Sequence, residues 1–298
     1  MKTRLIPHGD TIPAMSARLG VSLGLAALAA AAAPLTGAQL PLSVAKTTGQ
    51  TVTPAFEGWY RNPDGSFSIS FGYFNRNAEE VVSVPIGAAN HVEPGPPNQG
   101  QPTEFQAGRH WGVFAVRVPA DFGSKEVTWT IDFRGATYAI PGSLRPNWQI
   151  DALEGEAGSG NTPPVLKFAV NGPEGSGPLG ITSGPVPASV GAPVTLTVWA
   201  RDDGKPSTSI GGSGRSNVPV AVTWFTHQSP PAAAGRGVTF TPPSARVDAT
   251  GGQASTQATF AAAGDYLVRV RANDASGVVG AGHAQCCWTN GFVRVAVK

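Results

Sequence analysis

Residues Ser66–Asn77 read S-F-S-I-S-F-G-Y-F-N-R-N, with Phe67, Ile69, Phe71 and Tyr73 alternating with Ser68, Ser70 and Gly72. A β-strand, whose side chains repeat every second residue, gathers the four large groups on one face and the small ones on the other; a helix scatters them. Directly before this run stands Asn62-Pro63-Asp64-Gly65, in which proline presets φ, aspartate bonds the backbone ahead and glycine accepts a positive φ. Residues 54–60 and 66–74 are therefore expected to pair as a hairpin. The same period returns at Trp111–Val118, where Phe114, Val116 and Val118 share a face, and at Val127, Trp129, Ile131 and Phe133. A short strand at Glu80–Val84 stops at Pro85, and Asp132–Ala136 forms a turn into Thr137–Ile140.

Composition extends this reading to the whole chain. Gly (38) and Pro (27) make up roughly a fifth of the 298 residues, against an average of about 12%, while apolar residues remain plentiful at 41%. Short strands joined by tight turns satisfy both facts. Charged residues are only 13%, about half the usual share, and no amphipathic helix of any length follows the leader. The second half repeats the strand pattern at Val194–Ala200, Val220–Phe225, Val238–Phe240, Ser255–Phe260, Tyr266–Arg271 and Gly291–Val297, a sandwich-like spacing. The expected fold is all-β, with two antiparallel β-sandwich domains, the second immunoglobulin-like. The first spans 54–150, preceded by a flexible arm at 39–53. A linker at 151–187, carrying the strand candidate at Pro163–Phe168, leads into the second at 188–298.

The N-terminus is set apart. Arg4 and Arg18 precede an uncharged Ala/Leu/Val run at Val21–Ala33, followed by Thr36-Gly37-Ala38 ahead of Gln39. This is the pattern of a secretory signal peptide over 1–38, and the apolar run falls short of the roughly 20 residues a spanning helix needs. Without Lys2, Arg4, Arg18 and Asp10 the basic and acidic residues are equal in number. Nucleic acid and anionic membrane call for a basic patch, so neither is an expected partner, and no stable membrane insertion is expected.

In the C-terminal third, Pro193–Gly204 reads P-V-T-L-T-V-W-A-R-D-D-G, Val222–Trp224 reads V-T-W, and Ala258–Asp274 reads A-T-F-A-A-A-G-D-Y-L-V-R-V-R-A-N-D. Taken in this order, the segments resemble the PKD-type and related immunoglobulin-like domains of bacterial secreted proteins. The resemblance covers roughly residues 188–298 and implies a fold and an extracellular spacer, adhesive or ligand-presenting role; it implies no catalysis, because such folds host many functions.

Candidate chemistry is sparse. The two cysteines, Cys286 and Cys287, are adjacent. Their Cα atoms lie about 3.8 Å apart, below the usual disulfide range of about 4.4–6.8 Å, so a vicinal disulfide forces a tight turn. Two reduced thiols, a bridge between chains, or a soft-metal site with His283 are the alternatives. Asp202, Asp203 and Asp274 are candidate ligands for Ca2+, because hard cations take clustered oxygens; Asp before Gly is also ordinary turn chemistry. No other cofactor is indicated. The long segment at 87–108 carries Asn90, His91, Asn98, Gln99, Gln101 and Phe105, and Trp59, Tyr60, Trp111 and Trp148 accompany it. Rings beside amides suit sugar or peptide recognition, and the same aromatics equally suit a sandwich core.

The chain has no G-x-S-x-G, H-E-x-x-H, P-loop or C-x-x-C motif, and its carboxylates have no fixed separation of the kind a glycosidase requires. The resulting expectation is an exported, non-enzymatic binding or adhesion module with a carbohydrate or protein ligand. The alternatives are a structural subunit of a self-associating extracellular assembly and a glycan-acting hydrolase.

Overall fold

The Asn62–Ser66 turn joins β1 (Val52–Arg61) to β2 (Phe67–Asn75) in antiparallel register, with Trp59 opposite Ile69. The Asn62 carbonyl accepts from the Gly65 N–H, Asp64 Oδ1 accepts from the Ser66 N–H at 3.0 Å, and Gly65 takes a φ of 83°. The turn chemistry of this tetrapeptide thus sets the hairpin register.

The computed structural model describes residues 46–150, 161–205, 217–274 and 287–298. The leader at 1–38, residues 151–160 of the linker, His283 and Cys286 lie outside the described residues. Regular structure among the described residues is strand, apart from short 3-10 turns at Pro146–Trp148 and Pro231–Ala233. Val44–Lys298 forms one compact unit, built from two sandwich lobes with separate cores.

The N-terminal lobe continues with β3 (Val82–Ser83), β4 (Asn90–Glu93), β5 (Glu104–Phe105), β6 (Gly108–Val118), β7 (Glu126–Phe133) and β8 (Ala136–Ser143). One sheet has the order β1-β2-β6, a second β4-β7-β8, and β3 and β5 form a two-stranded ribbon. Phe71, Phe105 and Phe114 surround Trp129 at ring separations of 6.1, 6.2 and 4.9 Å. The large face of β2 therefore lines this core. Lys46–Gln50, within the segment expected as an arm, lies along Asn77–Glu80: the Lys46 carbonyl accepts from the Ala78 N–H, and Asn77 Oδ1 accepts from the Gln50 N–H.

The C-terminal lobe comprises β9 (Val165–Lys167), β10 (Ile181–Ala188), β11 (Val194–Arg201), β12 (Val220–Gln228), β13 (Val238–Thr241), β14 (Ser244–Val247), β15 (Gly252–Phe260), β16 (Gly264–Asn273) and β17 (Trp288–Val297). Its sheets have the orders β13-β15-β11-β9 and β10-β17-β16-β12-β14. The parallel pairing of β10 with β17, in an otherwise antiparallel sandwich, gives the immunoglobulin-like arrangement. Val222, Trp224, Val268, Val270 and Val295 fill the space between these sheets with Leu196, Val198 and Phe260.

β10 falls, but for its last residue, in the 151–187 segment expected as a linker. Its sequence I-T-S-G-P-V-P-A has no alternation, and its register breaks between Ser183 and Val186, around Gly184-Pro185. Proline is tolerated there because β10 is an edge strand. β4, β5 and β14 are two to four residues long, too short for a period-two run to stand out, and are held by their neighbours.

Candidate functional site

The small face of β2 does not meet solvent: Ser68 and Ser70 are fully buried. Contacts from the C-terminal lobe reach the same sheet. The Tyr60 hydroxyl, opposite Ser68 in the β1–β2 register, accepts the Leu179 N–H at 2.7 Å, and burial pushes its pKa to about 12. In β6, the register with β2 breaks between Phe71 and Tyr73, placing Trp111-Gly112-Val113 in a bulge. Such a bulge redirects backbone groups away from the ladder. Here the Gly112 carbonyl accepts both Trp288 Nε1–H at 3.3 Å and Asn290 Nδ2–H at 2.7 Å. Gly112 has a φ of 49°, and a Cβ there would lie inside the Trp288 indole. Glycine is required at this position on both counts.

Farther along, residues 98–104 run beside β12. The Thr103 N–H donates to the His227 carbonyl at 2.8 Å, His227 Nε2–H donates to the Gly100 carbonyl at 2.7 Å, and Gln228 Nε2–H donates to the Gln101 carbonyl at 2.6 Å. Glu104 accepts the Ser83 hydroxyl on one carboxylate oxygen and the Ser229 hydroxyl on the other, each at 2.6 Å. Burial raises the Glu104 pKa, and the two hydroxyl donors oppose that rise. His227 and His110 are each pulled down to about 3, chiefly by burial and next by the Arg269 charge, so both are neutral.

Between the lobes, beside this seam, lies an open cleft of about 610 Å³. Its lining includes Asn98, Gln99, Gln228, Tyr266, Phe292 and Arg294. Asn98 and Gln228 exchange side-chain hydrogen bonds across it at 3.1 and 3.5 Å. Arg294 and Asp265 are exposed, so the cleft presents amides, ring edges and one charge of each sign. Donors and acceptors of this kind suit a polar, uncharged or zwitterionic ligand.

Of the amides and rings singled out in the sequence as ligand contacts, Asn98 and Gln99 line this cleft; Gln99 is also tied into its own lobe. Its amide bonds the Val92 and Pro94 carbonyls at 3.0 and 2.9 Å. Asn90 and Gln101 are fully buried within the lobe: Asn90 donates to the Val84 and Pro102 carbonyls and accepts Trp129 Nε1–H, while Gln101 donates to the Pro97 carbonyl. Phe105 is a core ring against Tyr73 and Trp129. His91, half-buried, contacts the Ala88 carbonyl through Nδ1 at 3.1 Å. Trp59 donates Nε1–H to the Arg145 carbonyl at 2.8 Å, and Trp111 packs on Trp288 at the seam. The long segment is thus built into the fold along most of its length, because its amides satisfy the backbone of a chain too irregular to pair in sheets.

Asp202, Asp203 and Asp274 come together at one end of the C-terminal lobe. Burial, followed by the Asp274 and Asp203 charges, raises the Asp202 pKa to about 6. Asn161 donates to Asp274 at 2.7 Å and Thr162 to Asp203 at 3.0 Å. Among the described residues no group of three or more His, Cys, Asp or Glu side chains has a metal-holding geometry. Cys287 is disulfide-bonded, and the other cysteine of the chain, Cys286, lies outside the described residues.

The cleft residues Phe292 and Arg294 of the C-terminal lobe have no sequence signal of their own, and Tyr266 is marked only as a strand residue. Arg294 sits in an ordinary alternating strand, and nothing local marks which lobe its face meets.

No protein-family model and no curated protein matches the chain. Among solved structures, domains 4 and 5 of the S-layer protein SbsC are similar at 12% identity and a TM-score of 0.24, covering 83% of this chain and 98% of that one. The D00-D0 domain of Intimin is similar at 12% identity and a TM-score of 0.24, covering 83% of this chain and 100% of that one.

Proposed function

We propose that this chain is an exported, non-catalytic binding module whose inter-lobe cleft seats a short oligosaccharide. The observation that carries the reading is the cleft itself: about 610 Å³, walled by Asn98, Gln99 and Gln228 amides with Tyr266 and Phe292 beside them. Ligand sites are usually concave, preformed and placed between domains, with a few polar groups that fix orientation. The seam supplies the preformation, because its hydrogen bonds hold both walls before any ligand arrives, which lowers the ordering cost of binding. Amides bond sugar hydroxyls as donor and acceptor together. The leader over 1–38 supports export.

The test is a glycan array probed with residues 39–298, followed by titration of each hit against Gln99→Ala and Arg294→Ala. Loss of about tenfold or more in affinity in either variant is expected, about the effect of removing one polar anchor. Hits unaffected by both variants, or no glycan hits beside clear binding of extended peptides, would overturn the saccharide assignment. Light scattering on the same protein checks the competing assembly role: a monomer is expected, and filaments or large oligomers would favour a structural subunit.

A further inference from the structure

In β16 the alternation sends Val268, Val270 and Ala272 into the sandwich and Arg269 and Arg271 to the opposite face. On an isolated sandwich that face is wet. Here the N-terminal lobe covers it, and Arg269 is only 2% exposed. Both guanidinium groups lie over the ring of Phe225, at 4.6 and 5.2 Å from its centroid. Arg269 Nη1 and Arg271 Nε are buried with no hydrogen-bond acceptor among the described residues.

Guanidinium does not lose its proton at ordinary pH; burial lowers Arg269 to about 9 and Arg271 to about 10, still charged at neutrality. Among the described residues, the rings that face them carry no negative charge. His110, 6.0 Å from the Phe225 ring, is neutral, and burial raises the Tyr73 phenol far above its ordinary value. Arg109 on the same sheet as Tyr73 shows what a matched cation looks like: it pairs with Glu57 at 2.5 Å. Neither Arg269 nor Arg271 has a carboxylate within ion-pair distance among the described residues. A buried and a half-buried like charge side by side are costly unless an opposite charge joins them, and cation–π contact offsets only part of that cost.

We infer that the lobe interface encloses a small inorganic anion, of the chloride or sulfate class, held between Arg269 and Arg271 above Phe225. Arg269 is almost inaccessible and Arg271 is half-buried, and bulky gluconate serves as the reference anion. The anion completes the interface and links salt composition to the docking of the two lobes, whatever fills the neighbouring cleft.

The experiment is thermal unfolding of residues 39–298 at constant ionic strength, replacing sodium gluconate stepwise with sodium chloride or sulfate, alongside Arg271→Gln. Linkage predicts that the native protein gains about 5 °C in Tm as the small anion passes from near its Kd to about a hundred times above it, and that the variant loses this gain. General salt exclusion acts on both proteins equally, so an equal gain in Arg271→Gln would overturn the proposal. Should that variant fail to fold, crystals of the native protein grown in sodium bromide decide the matter. An anomalous peak between the two guanidinium groups is expected; its absence would assign the space to water and end the proposal.

Discussion

The two lobes solve the same packing problem with different side chains. The N-terminal core is aromatic, with Trp129, Phe71, Phe105, Phe114 and Tyr73 all essentially inaccessible. The C-terminal core is built on Val198, Val222, Val268, Val270 and Val295, with small Ala200, Ala254, Ala258 and Ala272 between them. The difference follows from sheet width. Two three-stranded sheets with a short ribbon leave an irregular interior that only large rings fill, whereas sheets of four and five strands stack evenly on β-branched and small residues. Stability in the first lobe is therefore concentrated in a few side chains, and in the second it is spread over many.

The largest expected effect tests that concentration. Trp129→Ala should cost about 3–5 kcal/mol, read as a shift in the urea midpoint. Because the seam couples the lobes, the loss should appear in a single transition. Two resolved transitions, with only the first moved, would show that the lobes unfold independently.

Next comes Gly112→Ala, which leaves both cores intact and strikes the seam alone. A methyl group pressed against Trp288 at a positive φ should cost about 1–3 kcal/mol, with the Trp288 fluorescence changing at the same time. A variant as stable as the native protein would show that the bulge adjusts freely and that the lobes are loosely joined.

His227 offers a pH-dependent measure of the same contact. Its pKa of about 3 in the folded state lies below the ordinary value of about 6.5, so the unfolded chain binds the proton first as pH falls. Stability attributable to neutral His227 is complete above pH 6.5 and declines as pH falls toward 3, by about 1.4 kcal/mol per unit. The quantity to measure is native minus His227→Gln, since buried Glu57, Glu104 and Asp202 have raised pKa values and pull the other way in both proteins. A difference that stays flat from pH 7 to 4 would mean that His227 is protonated or hydrated in the folded state.

The smallest effect lies on the surface. Arg117 and Asp64 pair at 2.9 Å but are both about half exposed, so Arg117→Ala should change stability by about 0.5 kcal/mol or less. A larger loss would mean that Arg117 also supports the lobe contact near Tyr60.

Much of the strand framework was legible from residues alone. The hairpin around Asp64-Gly65, the alternating runs of β6, β7, β11, β12 and β16, and the all-β class are local properties of the chain. Missed elements share one trait: β4, β5, β10 and β14 are too short or too irregular for a period-two run to stand out, and they exist because a neighbouring strand offers hydrogen bonds. The cleft was legible only in part. Asn98 and Gln99 belong to it, but Asn90, Gln101 and Phe105 look the same in sequence and are internal.

Period-two patterning determines which residues share a face, and so it told Val268 from Arg269 and Phe71 from Ser70. It does not determine what covers the second face. Nothing local marks what lies against the Ser68 and Ser70 face, the Arg269 and Arg271 face or Gly112. Only the tertiary structure turns these faces toward one another, because a contact between residues more than a hundred positions apart leaves no trace in local periodicity. The seam, its buried cations and the cleft beside it all arise from that packing.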